Sequence, residues 1–215
     1  MKKVYIVGGG FSYARMFQAA GYELVDSAEK ADIIQFTGGS DVSPQLYGEH
    51  QHETTWSSKA RDAEELAVFN ACKERGQFMA GICRGGQFLN VMNGGKMYQD
   101  VYNHAIPGTH PVVDLETGNE FPCTSTHHQM MRIGKKGKLL AQSSEMRSTI
   151  KLHMSEIGKK RGLLVAKNDE VEVESVYYPE TRSFCFQPHP EMVGKEHPCQ
   201  QWYLSKLESL LNGQV

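Results

Sequence analysis

Cys83 sits in the stretch QFMAGICRGGQFLNV, residues 77–91, where an apolar run of strand character (Phe78, Met79, Ala80, Ile82) meets a segment that reads as helix from Gln87 to Val91. Gly81 and Gly85 flank the cysteine two places before and two after. Small residues at those positions permit a sharp strand-to-helix turn that a bulkier side chain would block, and such a turn lifts the thiol out of the sheet. A thiol at the first turn of a helix feels the positive end of the helix dipole and nearby backbone N–H groups, which favour the nucleophilic thiolate. The bland alternative is a free cysteine buried as a small hydrophobe, as most are. Paired glycines on a strand-to-helix boundary argue against it.

A thiolate needs a base to form it on demand and an acid to protonate the leaving group. His189 fits, in QPHPE at the end of a short apolar strand (residues 183–187), with Pro188 and Pro190 stiffening the backbone on either side. Glu191, two residues on, is placed to orient the ring and stabilise its charged form. The third piece is Gly38-Gly39, at the carboxyl end of the apolar strand DIIQFT, residues 32–37. Two glycines there leave backbone N–H groups open at the end of the sheet where α/β proteins bind ligands.

The elements that must bring these pieces together follow from periodicity and punctuation. Residues 3–7 (KVYIV) read as a first buried strand ended by Gly8-Gly9-Gly10. Tyr13 stands where a dinucleotide fingerprint needs glycine, so this loop does not read as a nucleotide site. Ser12 is the candidate cap of a short helix through Ala20, Gly21 stops it, and residues 22–25 make a second strand. Residues 49–60 read as an irregular surface loop, whose His50 and His52 lack further ligands at metal-binding spacing. From Arg61 to Arg75 the pattern is helical, with Leu66, Ala67, Phe69 and Ala71 on one side. Residues 102–162 show no clear period. Within them Thr126-His127-His128-Gln129 is a polar cluster close to a strand end. Adjacent histidines on a strand point to opposite faces, which speaks against a shared metal site with Cys123. Residues 170–177 (EVEVESVY) alternate acidic and apolar residues, the pattern of a half-exposed strand. Residues 198–211 read as a helix whose Trp202, Leu204, Leu207, Leu210 and Leu211 form a core stripe.

Length and composition bound the rest. A chain of 215 residues with 40% hydrophobic and 22% charged residues suits one α/β domain spanning residues 1–215. A net charge of −2 with no basic stripe argues against a nucleic-acid surface. The short clusters Lys135, Lys136, Lys138 and Lys159, Lys160, Arg161 read as solvated loops. Five cysteines without a CxxC pair speak against a disulfide framework or a zinc knuckle and for a reducing compartment. The apolar segment near the N-terminus is too brief for a signal-peptide core, and no run reaches membrane-span length. The expectation is a cytoplasmic protein with no membrane partner.

Taken together and in order, FTGGSDVSPQLYGE, GICRGGQFLNV and QPHPE resemble the class I glutamine amidotransferase superfamily, and within it the gamma-glutamyl hydrolase branch. Arg61-Asp62 with Glu65, Asn93-Gly94-Gly95, Gln99-Asp100 and His127-His128-Gln129 resemble that branch too. The resemblance implies a flavodoxin-like three-layer α/β sandwich with a mostly parallel central sheet, and no metal or organic cofactor. It implies Cys83 as nucleophile, His189 as general acid/base and Glu191 as its orienting partner. Backbone N–H groups of Gly39 and Arg84 would form the oxyanion hole, and Gln87, His128 and Gln129 would line a glutamyl pocket. Pro188 stands where the family places an aromatic residue. The implied reaction is hydrolysis of a small γ-glutamyl amide through a thioester on Cys83. The alternative is a glutaminase subunit passing ammonia to a separate synthetase partner. A redox sensor built around an elbow cysteine would lack the His-Pro-Glu. A homo-oligomer stays open.

Overall fold

The computed structural model describes residues 1–166 and 171–213. The chain begins with β1 (Lys3–Val7), α1 (Phe11–Ala19), β2 (Glu23–Leu24), β3 (Ile33–Phe36), α2 (Lys59–Glu74), β4 (Phe78–Ile82) and α3 (Arg84–Met92). A run of short strands follows: β5 (Lys96–Tyr98), β6 (Asp100–Val101), β7 (Ala105–Asp114), β8 (Glu120–Thr126), β9 (Met130–Arg132), β10 (Lys138–Ser143), β11 (Lys151–Met154), β12 (Leu163–Val165) and β13 (Val173–Tyr178). β14 (Ser183–Phe186) and α4 (Pro198–Leu211) complete it.

Nine strands form one sheet in the order β2-β1-β3-β4-β14-β13-β10-β7-β8. The half from β2 to β14 is parallel and carries the strand ends that lead to Gly38 and Cys83. From β14 outward the pairing is antiparallel. The expected parallel sheet is therefore one half of a larger mixed one; the other half comes mainly from the segment without a legible period. Two small sheets, β12-β11-β6 and β5-β9, lie beside it.

Side-chain alternation divides the core between the two faces. Phe78, Ala80 and Ile82 of β4 meet Met16 and Phe17 of α1 and Tyr203 and Leu207 of α4 on one face. Met79 of β4 meets Phe69 and Cys72 of α2 and Phe88 and Leu89 of α3 on the other. The result is a three-layer α/β flavodoxin-like arrangement.

Three local expectations are corrected. Ser12 does not cap α1: the helix starts at Phe11 with Gly10 in the cap position and no side-chain cap bond. Ala67 is exposed, and the inward face of α2 is instead Asp62, Glu65, Phe69 and Cys72, two of them acids. The acidic-apolar alternation before Tyr177 does not mark a half-exposed strand. β13 is buried along its whole length, and Glu172 and Glu174 are buried with it because histidines on neighbouring segments receive them. Glu170, at the start of that reading, lies outside the described residues.

Candidate active site

The turn between β4 and α3 places Cys83 at φ 50° and ψ −115°, a left-handed conformation that costs a non-glycine residue about 1–3 kcal/mol. Its N–H bonds the Phe186 carbonyl at 2.7 Å and its carbonyl accepts from Gln87 N–H at 2.9 Å, so β14 and α3 together hold the turn. The flanking glycines are needed for close approach. A Cβ on Gly81 would lie 2.3 Å from the Gly85 carbonyl carbon, and one on Gly85 would lie 2.4 Å from the Phe36 oxygen.

β14 then delivers His189 to the sulfur. The His189 N–H donates to Thr124 Oγ1 at 2.7 Å, which ties this loop to β8. Its Nδ1 bonds Glu191 Oε1 at 2.6 Å, leaving Nε2 for the hydrogen bond that the ring makes with Cys83. Burial opposes a charged ring, but the Cys83 sulfur and the Glu191 carboxylate outweigh it and push the His189 pKa up to about 10. Gly38 is wedged between these groups: a Cβ there would meet His189 Cε1 at 3.0 Å, the Tyr13 hydroxyl at 3.1 Å and Cys83 Cβ at 3.6 Å. The Gly38 N–H donates to Tyr13 Oη at 2.9 Å. Burial, then the nearby Glu191 carboxylate, keep the Tyr13 phenol protonated well above its usual range.

The Gly38-Gly39 loop is set by Arg61. Its guanidinium donates to the Thr37 carbonyl at 2.9 Å and to the Gly38 carbonyl at 3.0 Å, drawing both oxygens toward α2. Arg61 also pairs with Glu65 at 2.8 Å. A Cβ on Gly39 would strike Arg61 Nη1 at 2.3 Å, so glycine is required there. No hydrogen bond among the described residues engages the Gly39 N–H.

A cavity of about 410 Å³ opens beside the sulfur, and Gly39, Cys83, Gln87, His128 and Gln129 all line it. Gln87 Nε2 bonds Gln187 Oε1 at 3.2 Å and the Gln129 carbonyl at 3.4 Å. Gln129 Nε2 bonds Thr55 Oγ1 and the Gln99 carbonyl, each at 3.2 Å, while its Oε1 is buried with no partner among the described residues. His128 sits between Asp41 at 3.2 Å and Asp100 at 3.5 Å; the Asp41 hydrogen bond raises its pKa, against burial. Arg84 does not line the cavity. Its side chain turns into the core and pairs with Asp62 and Glu65, so only its backbone N–H, at the first position of α3, faces the turn. A larger cavity of about 550 Å³ lies around Lys96 and Arg132, away from the thiol and without a nucleophile in its wall.

Sequence reasoning gave no site role to Tyr13 or Thr124, and Asp41 and Gln187 stood in the quoted motifs without one. Arg61 and Glu65 stood in the motif pattern, but their grip on the glycine loop depends on a helix face that local spacing did not reveal.

The peptidase C26 family model matches residues 7–191. The chain belongs to the peptidase C26 family, within the class I glutamine amidotransferase-like group. This family member is 31% identical over 192 residues to a Lactococcus lactis protein named as glutamine amidotransferase-like, YvdE, covering 84% of this chain and 79% of that one. Over 71 residues it is 39% identical to the gamma-glutamyl-gamma-aminobutyrate hydrolase PuuD of Escherichia coli, a match spanning 33% of this chain and 28% of the relative. Among solved structures, PurLQS of Thermotoga maritima superposes with a TM-score of 0.65 at 17% identity over 100% of both chains. A glutamine amidotransferase from the same organism gives 0.57 at 12% identity, over 100% of this chain and 86% of that one. At such identities these two establish the fold. No helix among the described residues is long and apolar enough to cross a membrane.

Proposed function

We propose that this C26 member hydrolyses the side-chain amide of a γ-glutamyl compound through a thioester on Cys83. The observation that carries the reading is the grouping of Cys83, His189 and Glu191 beside a cavity that Gln87, His128 and Gln129 line, with the thiol on a strained turn at the head of α3. In the first step the Cys83 sulfur attacks the γ-carbonyl carbon while His189 carries the proton. The tetrahedral oxyanion is received by the N–H groups of Gly39 and Arg84; removing one such donor typically slows catalysis about 10²–10³-fold. Arg61 supports this role by drawing the Thr37 and Gly38 carbonyl oxygens away. The C–N bond breaks as His189 passes its proton to the departing amine. Water, deprotonated by the same imidazole, then attacks the thioester, the C–S bond breaks, and glutamate leaves with the thiol restored. Gln87, His128 and Gln129 hold the glutamyl end, the unpartnered Gln129 Oε1 being an acceptor suited to its ammonium group.

The local match to the E. coli hydrolase supports a free-standing hydrolase over an ammonia-supplying subunit. Hydroxylamine captures a γ-glutamyl thioester as the hydroxamate. Wild-type protein should form it and Cys83→Ala should not; equal yields from both would remove the cysteine from the mechanism. A release assay across glutamine, γ-glutamyl-aminobutyrate, γ-glutamyl-putrescine and polyglutamates identifies the amine half, a tenfold preference corresponding to about 1.4 kcal/mol in the transition state. Turnover of glutamine alone, and only with an added synthetase, would reassign the chain to ammonia supply.

A further inference from the structure

Glu174 of β13 is fully buried and faces a group of histidines on neighbouring segments. His110 Nε2 lies 2.9 Å from Glu174 Oε1, and His104 Nδ1 lies 3.9 Å from the same oxygen. One ligand atom from each of His104, His110 and Glu174 lies within 4.8 Å of the other two. Tetrahedral zinc, with bonds of about 2.0–2.1 Å, sets its ligand atoms roughly 3.3 Å apart, so His104 would draw inward while the 2.9 Å contact of His110 with Glu174 opens slightly.

A second observation points to a ligand. Glu174 Oε2 and His110 Nδ1 have no hydrogen-bond partner among the described residues, although both side chains are at most 1% exposed. Carboxylates buried to that degree are normally paired or bound to a metal, because an unsatisfied one keeps its full desolvation cost. His104 is also arranged as a ligand. Its Nε2 bonds Glu172 Oε2 at 3.0 Å, which turns the Nδ1 lone pair toward Glu174. Glu172 is itself held by the N–H groups of Arg147 at 2.9 Å and Ser148 at 2.6 Å. A carboxylate behind a ligating histidine is how metal sites set the tautomer and orientation of the ring.

We propose that His104, His110 and Glu174 form a buried site for a divalent transition metal, zinc by the chemistry of its nitrogen and carboxylate ligands. The site is structural. It ties β7 and the residue that precedes it to β13. Its effect on the thiol is indirect: the Glu174 backbone carbonyl accepts the Gln187 N–H at 2.8 Å, two residues before His189.

The test is to strip the full-length protein with a chelator and titrate Zn²⁺ or Co²⁺ alone. One cation per chain is expected, with a melting temperature raised by Zn²⁺. Bound Co²⁺ should show visible bands without the near-ultraviolet thiolate charge-transfer band. His110→Asn and Glu174→Gln should lose the cation, whereas Cys83→Ala and the surface variant His50→Asn should keep it. Should either ligand variant fail to fold, the wild-type stoichiometry and cobalt spectrum decide. Binding well below one cation per chain in wild type, a thiolate band, or full binding in both ligand variants would overturn the site. Each readout is independent of γ-glutamyl turnover.

Discussion

At the scale of single residues, the consequential contact is Glu191 on His189 Nδ1, because it decides which ring nitrogen faces the sulfur. Glu191→Gln keeps the volume but loses the charge and the fixed tautomer, and kcat should fall by roughly 10²–10⁴-fold with little change in KM. The ring also carries a pH signature. Its pKa in the folded chain, about 10, lies above its ordinary value of 6.5. The charged imidazolium therefore stabilises the fold fully below pH 6.5, and that contribution fades as pH rises through about 10. Histidine Cε1–H resonances followed by NMR should show one ring titrating far above the others. In Cys83→Ala that resonance should move back toward the ordinary range, since the sulfur is foremost among the groups that raise it. No movement on removing the sulfur would mean that Glu191 alone sustains the charge.

At the scale of elements, the site depends on α2 holding the head of α3. Arg84 is 1% exposed and reaches back to Asp62 and Glu65 on the inward face of α2, both nearly as buried. Replacing a buried ion pair with apolar residues can be neutral, but removing one partner strands the others. Arg84→Ala leaves the Asp62 carboxylate in the core without its cation, while Glu65 keeps Arg61, and should lose about 3–5 kcal/mol, read by denaturant unfolding. The same helix explains what could and could not be read from sequence. β1, β3, β4, β14 and α4 were legible because local apolar runs and helical periods specify them. Cys83, His189 and Glu191 stand out in the sequence as candidates because glycine and proline punctuate the chain around them. The buried acids of α2 defeat a hydrophobic-stripe reading, since their partner, Arg84, is on another helix. The antiparallel strands from β7 to β12 were opaque, and β13 was legible as a strand but not as a buried one: Glu174 reads as solvent-facing until His110, 64 residues away, is folded against it. Thr124 and Tyr13 enter the site only through such long-range pairings.

At the scale of the whole molecule, the groups proposed for catalysis straddle a seam. Cys83 belongs to the parallel half of the sheet, whereas Thr124, which fixes the backbone of His189, and the cavity residues His128 and Gln129 come from or beside the antiparallel half. The proposed reaction then requires the halves to stay docked, and α4 is the clasp. Trp202 stacks on Phe121 of β8 at 5.0 Å and on Phe186 of β14 at 5.3 Å, and its indole N–H donates to Asp114 of β7 at 3.0 Å. The second tryptophan, Trp56, is exposed and lines the cavity, so it reports on ligand and not on the core. In Trp56→Phe, fluorescence from Trp202 and far-ultraviolet circular dichroism should therefore trace one coincident unfolding transition. Phe121→Ala should cost about 3–5 kcal/mol, the usual range for a buried phenylalanine, and move both curves together. If the fluorescence change instead came first, at lower denaturant, the antiparallel half would be opening on its own, and His189 would lose its anchor on Thr124 before the elbow that carries Cys83 unfolds.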